Sequence, residues 1–115
     1  MTIELREPSF LLLTALADGP KHGYALLSEV AELSGGRLRL KVGSLYAMIE
    51  RTEAAGLVVH VRDEVVAGRL RRYFDLSDAG RERLQSEAAR LAENARLATE
   101  RLRRGPRLAI VGAGE

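Results

Sequence analysis

The sequence predicts a mostly α-helical fold that carries one small β-hairpin and ends in a long helix. Between residues 10 and 52, three stretches have helical apolar spacing and are separated by Gly-rich breaks. Residues 57–76 change to β-branched and alternating patterns on either side of a glycine. From residue 77 to about 104, apolar positions hold a heptad seam. A chain of 115 residues has room for one domain with a modest core. The expected division is a domain of three helices and a hairpin over 1–76, a long helix over 77–104 and a tail over 105–115.

The composition, 46% hydrophobic and 30% charged, is that of an ordinary globular chain. The absence of cysteine excludes disulfides, thiolate metal sites and cysteine catalysis. The longest apolar run, Phe10 to Leu13, is too short to span a membrane. The N-terminus lacks a signal pattern, so the expected compartment is the cytoplasm. Net charge is only +2, and the cations are nearly all arginine, with lysine at 21 and 41 alone. A GC-rich genome accounts for that preference, so the placement of the arginines says more than their number.

Pro8 suits the first turn of a helix that is apolar almost all round, with Phe10, Leu11, Leu12, Leu13, Ala15 and Leu16. Gly19-Pro20 stops it. A second helix runs from Tyr24 to Leu33 and ends at Ser34-Gly35-Gly36. The basic connector Arg37-Leu38-Arg39-Leu40-Lys41 leads to a third helix that opens at Gly43-Ser44 and stops before Gly56. Its Leu45, Met48, Ile49 and Thr52 share one face; Ser44, Ala47 and Arg51 form the other, which is small, polar and suited to a major groove. Leu57 to Arg62 reads as a strand, Asp63 to Gly68 as a loop and Arg69 to Leu76 as the returning strand. Leu70, Phe74 and Leu76 are expected to pack while Arg71, Tyr73 and Asp75 stay wet. Arg72 interrupts this alternation near the hairpin tip, where it can reach solvent. A hairpin directly after a recognition helix is a wing, which makes the predicted fold a winged helix-turn-helix.

Ser77 or Asp78 caps the last helix, which is expected to reach Arg104 before Gly105-Pro106 and to be about 40 Å long. Leu84, Ala88, Leu91, Ala95, Ala98 and Leu102 form its seam, a stripe that so small a domain cannot cover. The seam is therefore expected to pair with a second copy, with Phe10 and Leu13 of the first helix available to the same interface. Leu108, Ile110 and Val111 give the tail some apolar character.

The ordered set of short motifs resembles the PadR family of bacterial transcriptional regulators. These motifs are His22-Gly23-Tyr24, Gly43-Ser44-Leu45-Tyr46, Glu53 to Val58, Gly68 to Leu76 and Leu76-Ser77-Asp78-Ala79-Gly80. The resemblance spans about residues 5 to 104, and the single C-terminal helix is similar to short-form members. Ala47 and Leu70 stand where the family often has proline. The resemblance implies a homodimer that binds pseudo-palindromic promoter DNA, usually as a repressor. It also implies release by a small amphipathic or aromatic effector near the dimer interface.

For such a regulator, Lys41, Arg51, Arg69, Arg71 and Arg72 are the cations expected near phosphates, and Arg51 could also read a base. Ser44 and Tyr46 can bond phosphate or a base edge, although Tyr46 could instead pack against the preceding helix. Ala47 influences which bases are met. The N–H groups of Gly23 and Tyr24, at a helix N-terminus, favour a phosphate oxygen. Phe10, Leu13 and Leu91 are the expected lining of an effector site. No cofactor is expected.

An enzyme is the first rival. His22 and His60 lie in separate elements, and no nucleophile elbow, phosphate loop or metal motif is present. His60 beside Asp63 and Glu64 is the one place to consider for a metal ion, and a strand histidine next to a loop is expected to be merely exposed. The second rival is a winged-helix adaptor for proteins, which would have no need for Arg69, Arg71 and Arg72 beside Lys41 and Arg51.

Overall fold

The computed structural model describes residues 3–106. Helix α1 spans Glu7–Leu16, with proline in its first turn as anticipated. Strand β1, Lys21–His22, is a two-residue element absent from the sequence-based expectation. Helix α2 spans Gly23–Leu33, α3 spans Val42–Ala54, β2 spans Val58–Val66, β3 spans Arg69–Leu76 and α4 spans Asp78–Arg104. The strands form one antiparallel sheet in the order β1-β3-β2. The chain has two compact units, one reaching through Gln85 and the other beginning at Ser86. The first unit takes in the first two turns of α4.

The core of the first unit comes from all three short helices and the sheet: Leu12, Leu13 and Leu16 from α1, Leu26 from α2, Leu45 and Ile49 from α3, and Val58, Phe74 and Leu76 from the strands. The face of α3 read from its periodicity, Leu45, Met48, Ile49 and Thr52, is the buried one. Thr52 is polar and wholly enclosed, and its hydroxyl donates to the Met48 and Ile49 carbonyls at 2.9 and 3.0 Å, which meets its bonding need within the helix.

Three expectations are corrected. The loop expected over 63–68 is mostly strand: β2 continues through Val66, and the turn is Ala67-Gly68 alone. Both turn residues have positive φ, 51° and 77°, the handedness that lets a two-residue loop follow the twist of its strands. Charged Asp63 and Glu64 hid the strand from a reading by hydrophobicity, although β-branched Val65 and Val66 follow them. Leu70 does not pack. It is 65% exposed opposite Val65 at the hairpin tip, too far along the ribbon to reach the core that holds Phe74 and Leu76. Leu13, expected on a partner-facing or effector-lining surface, is completely buried in the core of its own chain, whereas Phe10 keeps part of its surface exposed.

At the start of α4, the Ser77 hydroxyl accepts from the Gly80 amide at 2.9 Å and donates to the Gly56 carbonyl at 2.6 Å. Of the two capping candidates, serine holds the position. Gly80 lies so close to the backbone of Leu57 that a β-carbon there would be 1.9 Å from the carbonyl oxygen. Arg81 and Arg83 tie the same turns to the carbonyls of Ala17 and Ile3, at 3.3 and 2.5 Å.

In the second unit, α4 continues to Arg104 and is laced by i,i+3 ion pairs, Glu87–Arg90, Glu93–Arg96 and Glu100–Arg103. Of the seam, Leu84 is half-buried against the core of the first unit, while Ala88, Leu91, Ala95, Ala98 and Leu102 are exposed. The tail residues Leu108, Ile110 and Val111 lie outside the described residues.

Candidate nucleic-acid interface

Two short contacts bring α2, α3 and the hairpin to one place. The first is β1, whose residues Lys21 and His22 pair with Phe74 and Tyr73 of β3, so α2 begins directly beside the hairpin. His22 then caps α2, its Nδ1 accepting from the Ala25 amide at 3.3 Å, and its ring meets Tyr73 edge-on at 5.4 Å. Lys21 secures the other side of this corner by donating from Nζ to the Ala15 carbonyl at 2.6 Å and pairing with Asp18 and Glu29. The second contact is Tyr46 of α3, whose hydroxyl occupies the space that a side chain at Gly23 would need, 2.2 Å from an ideal β-carbon. Of the two expectations for Tyr46, packing against the preceding helix is what the geometry contains. Glycine at 23 is what permits it.

Around this corner the sequence-predicted residues sort clearly. Ser44, Ala47 and Arg51 lie exposed on α3, with Lys41 at its N-cap and Arg51 in its last turn. Tyr24 is exposed at the start of α2, and Gly23 is buried beneath Tyr46. Arg69, Arg71 and Arg72 follow the turn on β3. Arg71 reaches back over the Tyr24 ring, 4.8 Å from its centroid, and Arg72 lies 5.4 Å from the Phe74 centroid.

Carboxylate pairing divides the cations of the winged-helix unit; Arg81 and Arg83, which among the described residues also lack a carboxylate, donate to the Ala17 and Ile3 carbonyls instead. Arg6, Lys21, Arg37 and Arg62 each hold a carboxylate. Among the described residues, Arg39, Lys41, Arg51, Arg69, Arg71 and Arg72 form no ion pair. The wing has acids within reach, since Asp63 faces Arg72 and Glu64 faces Arg71 across the ladder. Those acids are engaged elsewhere: Asp63 with His60 at 2.7 Å and Glu64 with Arg62 at 2.6 Å. Arg71 and Arg72 thus form no ion pair with the acids that face them. This division also parts Glu64 from His60 and Asp63; among the described residues no three acids or histidines gather as a metal site would require.

Two features of the charge pattern escaped the sequence reading. Arg39 belongs with the unpaired cations, and its signal was the basic connector in which it lies. Arg62 lies over the Tyr73 ring at 4.3 Å and fills the same face of the hairpin as Arg71. Its placement depends on the register shift between His60 and Arg62, which no periodicity announces.

Comparison with known proteins agrees with this architecture. Residues 12–86 match the family described as Transcriptional regulator PadR-like family. A Streptomyces fradiae protein described as an uncharacterized 37.1 kDa protein in transposon TN4556 is 44% identical over 86 residues, covering 75% of this chain and 23% of its own length. The chain therefore spans about a quarter of that relative. The Mycobacterium tuberculosis transcriptional regulator Rv3488 is 39% identical over 85 residues, 74% of this chain and 76% of its own. The fold is shared with smu.1704 of Streptococcus mutans at a TM-score of 0.69, 18% identity and coverage of 94% and 99%. It is also shared with a PadR family regulator from Eggerthella lenta at 0.67, 23% identity and coverage of 84% and 82%. Bacillus subtilis PadR, solved in complex with operator DNA, matches at 0.64 with 20% identity over 72% of this chain and 47% of its own. No helix among the described residues is long and apolar enough to cross a membrane. The matched family is one of regulators and not of enzymes. By the family match over residues 12–86 and its likeness to Rv3488, the chain belongs to the PadR-like family of transcriptional regulators.

Proposed function

We propose that this chain is a homodimeric repressor that reads pseudo-palindromic promoter DNA through α3 and the wing. The observation that carries the reading is the set of unpaired cations. Lys41 and Arg51 bracket the exposed face of α3 and Arg69, Arg71 and Arg72 follow the wing turn, while the wing's own acids bond to His60 and Arg62. A duplex supplies the negative array such a surface lacks, and binding it releases counterions. Small, exposed Ser44 and Ala47 let α3 approach a major-groove floor closely. The operator complex of Bacillus subtilis PadR, a protein with this fold, supports the same reading.

Dimerisation is assigned to α4. Ala88, Leu91, Ala95, Ala98 and Leu102 keep a heptad stripe exposed on a helix of 27 residues. Leu84 is spent on the winged-helix core and Leu13 is enclosed, so the proposed interface rests on the later seam positions with Phe10. Release by a small amphipathic or aromatic effector near this interface is carried over from the family resemblance; Phe10 and Leu91 are proposed as its lining from the sequence alone.

The test is selection of the purified chain against random duplex DNA at near-physiological salt with non-specific competitor. A two-fold symmetric site with half-sites spaced by about one helical turn, roughly 34 Å, or a small multiple is the expected result. Recovery of no sequence, with binding that vanishes as salt rises, would reject the reading.

A further inference from the structure

Arg71 and Tyr24 belong to different elements, yet the guanidinium of one lies over the ring of the other, 4.8 Å from its centroid. We propose that Tyr24 is a positioning residue for Arg71: its ring fixes the wing guanidinium beside the N-terminus of α2, so that helix and wing meet a DNA phosphate as one preformed unit. The proposal rests on the DNA reading above.

The chemistry of the contact distinguishes it from an ion pair. An aromatic face attracts a cation without cancelling its charge and without filling the N–H fork that a carboxylate would occupy. Glu64 is the carboxylate nearest in register to Arg71, and it is bound to Arg62 instead. Arg71 is therefore held and still uncompensated. Its Nε is buried with no hydrogen-bond partner among the described residues, so the bonding capacity left for a ligand is that of the two terminal nitrogens. An arginine on a free hairpin would surrender its rotamer freedom on binding; one already stacked has surrendered it.

The surroundings of Tyr24 fix the stack from both sides. Pairing of His22 with Tyr73 sets the start of α2 against β3, two residues before Tyr24 and two residues from Arg71 along the strand. Tyr46 sets α3 against Gly23. Tyr24 thus follows directly on the residue that α3 packs against and carries the wing guanidinium on its ring, and at 48% exposed it remains open to a duplex.

The experiment measures binding of the full chain and of Tyr24→Phe, Tyr24→Leu, Arg71→Ala and the Tyr24→Leu/Arg71→Ala double variant to a selected operator duplex across a potassium chloride series. Thermal melting accompanies each variant. Tyr24→Phe keeps the ring and is expected to bind within about twofold of the unaltered chain, while Tyr24→Leu weakens binding about fivefold, the scale of a cation–aromatic contact. The double variant is expected to bind no more weakly than Arg71→Ala alone, because the ring acts only through the guanidinium. Melting temperatures should not follow this order. Multiplying losses in the double variant, or a loss in Tyr24→Phe equal to that in Tyr24→Leu, would overturn the proposal by giving Tyr24 its own DNA contact through the hydroxyl. Failure of the unaltered chain to bind any duplex in a salt-dependent way would instead overturn the DNA reading beneath it.

Discussion

At Gly80, one absent methyl group decides whether α4 can begin where it does. A β-carbon there would overlap the Leu57 carbonyl, which is backbone and cannot swing aside. Gly80→Ala is therefore expected to destabilise the chain by about 1–3 kcal/mol or more, the cost of overpacking a fitted site. Ser77→Ala removes the cap beside it and is expected to cost about 1 kcal/mol. Both are read from thermal melting, and an unchanged midpoint in Gly80→Ala would mean that the helix start is free to shift. Ala67 presents the opposite case: its φ of 51° suits asparagine better than alanine. Ala67→Asn is expected to stabilise by up to about 1 kcal/mol, the scale of the left-handed penalty. The motif Leu76 to Gly80 was visible in the sequence, but the reason for its glycine was not, because that reason is an oxygen 23 positions earlier in the chain.

At the scale of elements, the helices were the most legible. The 3.6-residue spacing of Leu45, Met48, Ile49 and Thr52 marks the buried side of α3 without any tertiary information, and all four are buried. The sheet was less legible. A two-residue strand such as β1 has no period to detect, and the charged middle of β2 masks its continuation. What the wing does with its charges depends on cross-strand register, which a sequence does not print. For the proposed interface, Arg71→Ala with Arg72→Ala is expected to weaken DNA binding and to flatten the salt dependence by up to about 1.8 in logarithmic slope, at about 0.9 per neutralised phosphate. A slope equal to that of the unaltered chain would remove both residues from the phosphate contacts. For α4, Leu91→Glu puts a charge on an apolar seam and is expected to yield monomers that bind DNA poorly. Sedimentation that still shows dimers would place the interface away from the later seam.

For the whole molecule, pH acts on ties between elements. Arg37 donates to Glu7 at 3.2 and 2.5 Å and so holds that carboxyl below the usual glutamate value, tying the α2–α3 connector to α1. A carboxyl depressed in the folded state contributes stability above its unfolded value of 4.5, and the contribution is lost as pH falls through the lower folded value. Glu7→Gln is therefore expected to matter near neutrality and to match the unaltered chain in acid, a comparison made by melting across pH. The open flank of the sheet has a further consequence. Strand β2 is an edge of nine residues on which Val59, Val61, Val65 and Val66 are all exposed. Such a strand invites a foreign strand to add to it and grow into an aggregate. The bulge between His60 and Arg62 and the charged run Arg62-Asp63-Glu64 break that template where it is longest. The residues that draw Asp63 and Glu64 away from Arg71 and Arg72 thus stand where gatekeepers against edge-to-edge pairing would be placed.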